Sequence, residues 1–134
     1  MLKLFIFCLL LGGCSKLSDA PKPAASLIGG TWTMESSTEE ITPIDGSPRF
    51  TYTRTDAAGS TTMVFSDHGE VTYAGRGIST SVGTYTYSGN TLTMTFVSSA
   101  VRTITGLTDH RMVAQWHYDH VILGRHDVSD TFTR

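Results

Sequence analysis

From Gly29 onward the chain alternates apolar and polar residues with a period of two. Trp32 and Met34 alternate with Thr31, Thr33 and Glu35, and Phe50 and Tyr52 with Thr51 and Thr53. Met63 and Phe65 share a face, as do Val71 and Tyr73, and Tyr85 and Tyr87 alternate with Thr84 and Thr86. The clearest case is Leu92, Met94 and Phe96 against Thr91, Thr93 and Thr95. Ile104 and Arg102 oppose Thr103 and Val101. Met112, Ala114 and Trp116 oppose Val113, Gln115 and His117, and a short last strand falls near Thr131 to Arg134. Successive side chains of a strand point to opposite faces, so this texture predicts half-buried antiparallel strands. Its richness in Thr, Tyr and Val agrees with strand preference.

Turn residues punctuate the alternation. Asp67-His68-Gly69 and Ser88-Gly89-Asn90 read as hairpin turns, and Gly106 to Asp109 as another connection. No segment sustains a helical period. The expected domain is all-β, an antiparallel up-and-down β-barrel of about eight to ten strands. Closure would remove the exposed edges that Thr-rich strands otherwise present. The interval Ser37 to Pro48, with Glu39, Glu40 and Asp45, reads as a long first loop, either a solvated acidic loop or a lid over a barrel mouth.

The N-terminus has a different texture. Lys3 precedes an apolar run, Leu4 to Leu11, that ends in Leu11-Gly12-Gly13-Cys14. The run is too short to cross a bilayer, which takes about 20 residues. Small residues before the cysteine fit a signal peptide cut ahead of Cys14. The pattern resembles the lipobox of bacterial lipoproteins, which implies thioether lipidation of Cys14 with acyl chains such as palmitate. Ser15 stands where an inner-membrane retention signal carries Asp, which implies the outer membrane of a bacterial cell envelope. The division expected is residues 1–13 as signal, 14–26 as lipidated cysteine and Pro/Ala/Ser-rich tether, and 27–134 as the barrel. Two or three acyl chains anchor firmly where one holds marginally.

Composition adds few constraints on function. With 134 residues the chain is one domain's worth. Of its two cysteines, Cys8 leaves with the signal and Cys14 is claimed by lipid, so no disulfide is expected in the folded part. The net charge of −2 and the absence of a basic stripe argue against a nucleic-acid partner.

The segment Leu27-Ile28-Gly29-Gly30-Thr31-Trp32 is similar to the Gly-x-Trp opening of lipocalins, and of small bacterial lipocalin-like lipoproteins in particular. The resemblance continues through Met63 to Gly69, through Gly83 to Thr93 and through Leu107-Thr108-Asp109, and ends at Thr131 to Arg134. It implies a calycin-type barrel with a possible internal cavity. It also implies that Trp32 closes the base with Arg134 packed over its ring, a contact worth roughly 0.5–2 kcal/mol.

An eight-stranded barrel is either filled by its side chains or holds one small ligand. The candidate lining is Trp32, Met34, Tyr52, Phe65, Tyr85, Tyr87, Leu92, Met94, Phe96, Ile104, Met112 and Trp116. Aromatic and methionine side chains suit a small apolar or amphipathic molecule. The competing expectation is that they simply pack together, leaving an envelope module whose outer surface binds a protein or glycan. A slip of one residue would exchange the faces of any strand.

Catalytic and metal chemistry find little support. His117, His120 and His126 lie near Asp119 and Asp127, but their spacing fits no compact metal site, and they read as surface-loop residues. Asp67-His68, Asp109-His110 and Asp119-His120 read as turn chemistry, and no Gly-x-Ser-x-Gly elbow accompanies them. Glu39 and Glu40 define no acid/base pair. The expectation is a binding protein, not an enzyme, with no cofactor and no metal.

Overall fold

The computed structural model describes residues 24–134 apart from Arg76. The signal, Cys14 and most of the tether therefore lie outside the described residues.

A one-turn helix, α1 (Ala24–Leu27), leads into nine strands. They are β1 (Gly30–Thr42), β2 (Phe50–Thr55), β3 (Thr62–Phe65), β4 (Glu70–Gly75) and β5 (Ile78–Ser88), followed by β6 (Thr91–Thr95), β7 (Ser99–Leu107), β8 (Arg111–His120) and β9 (Gly124–Thr133). Every pairing is antiparallel, and β9 returns to pair with β1 from Thr33↔Thr133 to Thr42↔Arg125. An eight-strand ring of β1 and β3 to β9 is thereby closed. The ninth strand, β2, pairs with β1 alone among the described residues.

One strand thus serves two neighbours along one edge. The first part of β1 pairs with β3, from Gly30↔Phe65 to Thr33↔Thr62. Its second part pairs with β2, from Ser36↔Thr55 to Ile41↔Phe50. Between them the register against β9 shifts at Met34/Ser36, a β-bulge. The bulge reverses the parity of the strand. Before it, Trp32 and Met34 point inward; after it, Ser37, Glu39 and Ile41 do.

This corrects the sequence reading at two places. The interval from Ser37 is not loop: β1 runs on to Thr42, and the connection to β2 spans only residues 43–49. The final strand is not short: β9 begins at Gly124. In both, polar residues occupy inward positions, so apolar alternation alone did not reveal the strand. The fold also starts earlier than expected, with α1 taking in the last residues of the anticipated tether and Ile28 fully buried behind it.

The closed half of the barrel is filled. Ile28, Trp32, Met34, Met63, Phe65, Val71, Leu92, Met94, Ile104, Met112, Ala114 and Phe132 form one buried cluster, with Tyr73, Tyr85, Tyr87, Phe96 and Leu107 packed against it. Each fully buried large apolar side chain contributes about 1.5–3 kcal/mol. At the base, the indole of Trp32 donates to the Ile28 carbonyl at 2.7 Å. The Arg134 guanidinium lies 4.3 Å from the Trp32 ring centre and donates to the carbonyls of Gly29 and Asp109. Gly30 makes room for it: its φ is +106°, and a Cβ there would sit 3.2 Å from Arg134 Nη1. The two chain ends therefore lock the base together.

Candidate functional site

Above the filled half, the inward side chains change character. Asp130 of β9 is buried, and three strands donate to it. Ser37 Oγ of β1 donates at 2.7 Å, Trp116 Nε1 of β8 at 3.0 Å, and Arg102 of β7 forms an ion pair with it. The Arg102 guanidinium also lies 5.0 Å from the Trp116 ring centre. A carboxylate taken out of water must be paired and hydrogen-bonded, and this one is.

A second polar cluster sits higher. Glu39 accepts from the Tyr118 hydroxyl at 2.7 Å and meets His126 Nδ1 at 2.7 Å. The Tyr118 hydrogen bond and the His126 contact hold the Glu39 carboxyl below its ordinary pKa, against a smaller upward push from burial. The same hydrogen bond raises the Tyr118 phenol. Trp116 and Tyr118 stack at 5.3 Å and 23°, and Tyr118 and His126 at 4.5 Å and 18°. The result is an aromatic column rising along β8 and β9 from the Asp130 cluster toward the rim. Two buried nitrogens in this belt, Arg102 Nε and His126 Nε2, have no hydrogen-bond partner among the described residues.

The third component is the inner face of β2. Register places Phe50 opposite Ile41, Tyr52 opposite Glu39 and Arg54 opposite Ser37, so all three project to the inner side. Arg54 reaches in as far as the Met34 sulfur, at 3.8 Å. Yet Phe50 and Tyr52 are 53% and 58% exposed. Since Ile41, His126 and Val128 at the same level are buried, these solvent-open inward rings show that this half of the barrel opens on its β2 side. Its walls offer aromatic faces, two guanidinium groups and the Glu39–His126 pair.

The structure divides the sequence candidates between the two halves. Trp32, Met34, Phe65, Leu92, Met94, Ile104 and Met112 are buried in the core cluster, and Tyr85, Tyr87 and Phe96 lie half-buried against it. Only Tyr52 and Trp116 belong to the mouth. Of His117, His120 and His126, the latter two approach with ring centres 6.1 Å apart, whereas His117 lies on the opposite face of β8. His117 and His120 are exposed, whereas His126 is buried at 3% exposure, which corrects its reading as a surface-loop residue. It lies on β9 two residues from Val128, on the side that leads down to Phe132. No group of three metal-binding side chains occurs among the described residues. Asp67-His68 and Asp109-His110 occupy turns, where Ser66 Oγ and Thr108 Oγ1 accept from nearby backbone N–H groups.

Sequence reasoning missed Ser37, Glu39, Arg54, Asp130 and the inward role of Arg102. One signal was available: Gly124, His126, Val128, Asp130 and Phe132 keep strict alternation, with polar residues on the buried side.

A closed antiparallel barrel, filled at one end and open at the other, is a calyx. The sequence profile of the lipocalin-like domain matches residues 28–114. The chain belongs to this lipocalin-like family. A lipocalin-like protein from Bacteroides uniformis ATCC 8492, solved by crystallography, superposes with a TM-score of 0.56 at 12% identity, covering 81% of this chain and 98% of that one. A deswapped triple mutant of bovine odorant binding protein gives a TM-score of 0.46 at 16% identity, covering 81% of this chain and 74% of that one. No curated protein matches the sequence.

Proposed function

We propose that this protein is a lipid-anchored lipocalin-like lipoprotein of a bacterial envelope that binds a small amphipathic molecule in the open half of its barrel. The observation that carries the binding reading is the inward but solvent-open pair Phe50 and Tyr52, facing the side of the Arg102–Asp130–Trp116 belt. Concave sites of this kind hold a ligand by apolar contact and orient it by a few polar groups. The filled closed half limits the ligand to the upper half. The mixed lining favours an amphipathic over a purely apolar molecule. Binding rather than catalysis fits a belt whose carboxylates are already committed to protein donors.

The anchor rests on Leu11-Gly12-Gly13-Cys14, and the outer-membrane assignment on Ser15. Labelling cells with a palmitate analogue tests it directly. The wild-type chain takes up label and Cys14→Ser does not; an unlabelled wild type refutes the anchor. Binding is tested separately by native mass spectrometry of the mature Cys14→Ser chain from its own envelope. A small-molecule adduct that is lost in Tyr52→Ala/Trp116→Ala supports the reading. A bare chain that retains a protein partner instead supports an envelope interaction module, the alternative that the filled closed half favours.

A further inference from the structure

The two ends of the barrel carry opposite kinds of loop. The turns at the closed end are polar: Ser66-Asp67-His68-Gly69, Ser88-Gly89-Asn90 and Thr108-Asp109-His110. Three of the connections at the mouth instead expose apolar side chains. Val97 is fully exposed in the β6–β7 turn, and Ile44 is 72% exposed in the β1–β2 loop. Val121, Ile122 and Leu123, the whole β8–β9 turn, are 88%, 74% and 50% exposed. Ile44, Phe50, Ile122 and Leu123 line one shallow cleft of about 310 Å³, so the two larger loops form a continuous apolar tip. The nearby charges are largely neutralised in pairs, Arg49 with Glu40 and Arg125 with Asp127. Asp45 in the same cleft has no ion-pair partner among the described residues, so the tip offers no cationic patch for anionic headgroups and apolar contact must carry insertion. Contiguous exposed apolar surface at one end of a domain marks an interaction site.

We infer that this tip inserts into the interfacial region of a lipid bilayer and turns the barrel mouth toward it. The inference rests on the proposed anchor for its choice of occupant. Cys14 stands ten residues before Ala24, a reach of roughly 33 Å at about 3.3 Å per residue. The 13 residues of β1 span roughly 40 Å along the strand at about 3.3 Å each, which a barrel tilt of about 35–45° reduces to roughly 30 Å of height. A domain held by its closed end within that reach can lean over until its mouth meets the same bilayer. Tethering makes the second contact effectively intramolecular, so weak insertion suffices. An amphipathic ligand would then pass between bilayer and mouth without crossing bulk water.

The test uses the mature Cys14→Ser chain, which carries no acyl group, so failure of the tip and failure of the anchor are separable. A single environment-sensitive fluorophore is attached at Leu123→Cys, and in a second protein at Asn90→Cys in a closed-end turn. Each is mixed with phosphatidylcholine vesicles at lipid concentrations raised to the millimolar range that a short tether supplies, so that weak insertion is still read. Expected is a blue-shifted, brighter signal at position 123, none at 90, and no dependence on salt. Val121→Asp/Ile122→Asp, with label retained at 123, lowers vesicle binding at least tenfold. No response at 123, or an equal response at both positions, overturns the inference. So does a tip that binds an envelope protein while ignoring vesicles.

Discussion

Removing the Asp130 carboxylate tests the physical account of the belt most severely. Asp130 Oδ2 accepts from Arg102 and Trp116, and Oδ1 from Ser37. Asp130→Ala leaves the Arg102 guanidinium, only 15% exposed at its side chain, without its counter-charge. Breaking one side of a buried pair costs about 3–5 kcal/mol. Counting bonds gives an upper figure, since all three go to a carboxylate and each is worth about 1.5–3 kcal/mol. With a urea dependence of about 2 kcal/mol per molar, the unfolding midpoint should fall by roughly 1.5–2.5 M. Tryptophan fluorescence follows the transition. Asp130→Asn, which keeps an acceptor but not the charge, should fall between. Arg102→Met/Asp130→Leu should recover most of the loss, because no charge then remains buried. An Asp130→Ala loss below about 1 kcal/mol would refute the reasoning. So would a double variant equal to the sum of its singles, since contacting residues must couple.

Four further outcomes are expected. Arg134→Ala removes the guanidinium over Trp32 and its bonds to two carbonyls, and should cost about 1–3 kcal/mol in a urea titration, with Arg134→Lys recovering only part. Gly124→Ala should cost more than about 2 kcal/mol, because Gly124 has φ +102° and a Cβ would sit 2.2 Å from the Thr42 carbonyl oxygen. Gly89→Ala, at φ +61° with open space around it, should cost only about 1 kcal/mol in the same titration. Glu39 has a lowered folded-state pKa, so its contribution is present at neutral pH, above the unfolded value, and is lost as pH falls through the folded one. Chemical denaturation at pH 7 and pH 3 should therefore show a smaller acid-induced loss in Glu39→Gln than in the wild type.

How legible all this was in the sequence depended on which residues faced inward. Where inward positions are apolar, as in Leu92-Thr93-Met94 or Met112-Val113-Ala114, alternation disclosed both strand and face. The base was legible only through the resemblance to lipocalins, since Arg134 reaches Trp32 and Gly29 from 105 positions beyond Gly29. The mouth was not. The bulge at Met34/Ser36 moved Ser37, Glu39 and Ile41 to the inner face, so the second half of β1 looked like an acidic loop. His126 and Asp130 read as polar surface because their partners, Glu39 and Arg102, are 87 and 28 positions away. No local pattern announces a charge pair built across a closed barrel. The apolar tip was hidden for the opposite reason: Val121-Ile122-Leu123 has the composition of a buried run, and only the fold shows it as an exposed turn.

The protein's two tryptophans lie one at each end of the barrel, Trp32 under the filled half and Trp116 in the mouth. Their indole N–H resonances in a ¹⁵N-labelled mature chain are therefore two separate reporters of occupancy. Titration with an organic extract of the native envelope should move the Trp116 resonance saturably and leave that of Trp32 in place. A titration that leaves Trp116 unmoved, or shifts Trp32 alone, would contradict the account of an open-mouthed binding barrel.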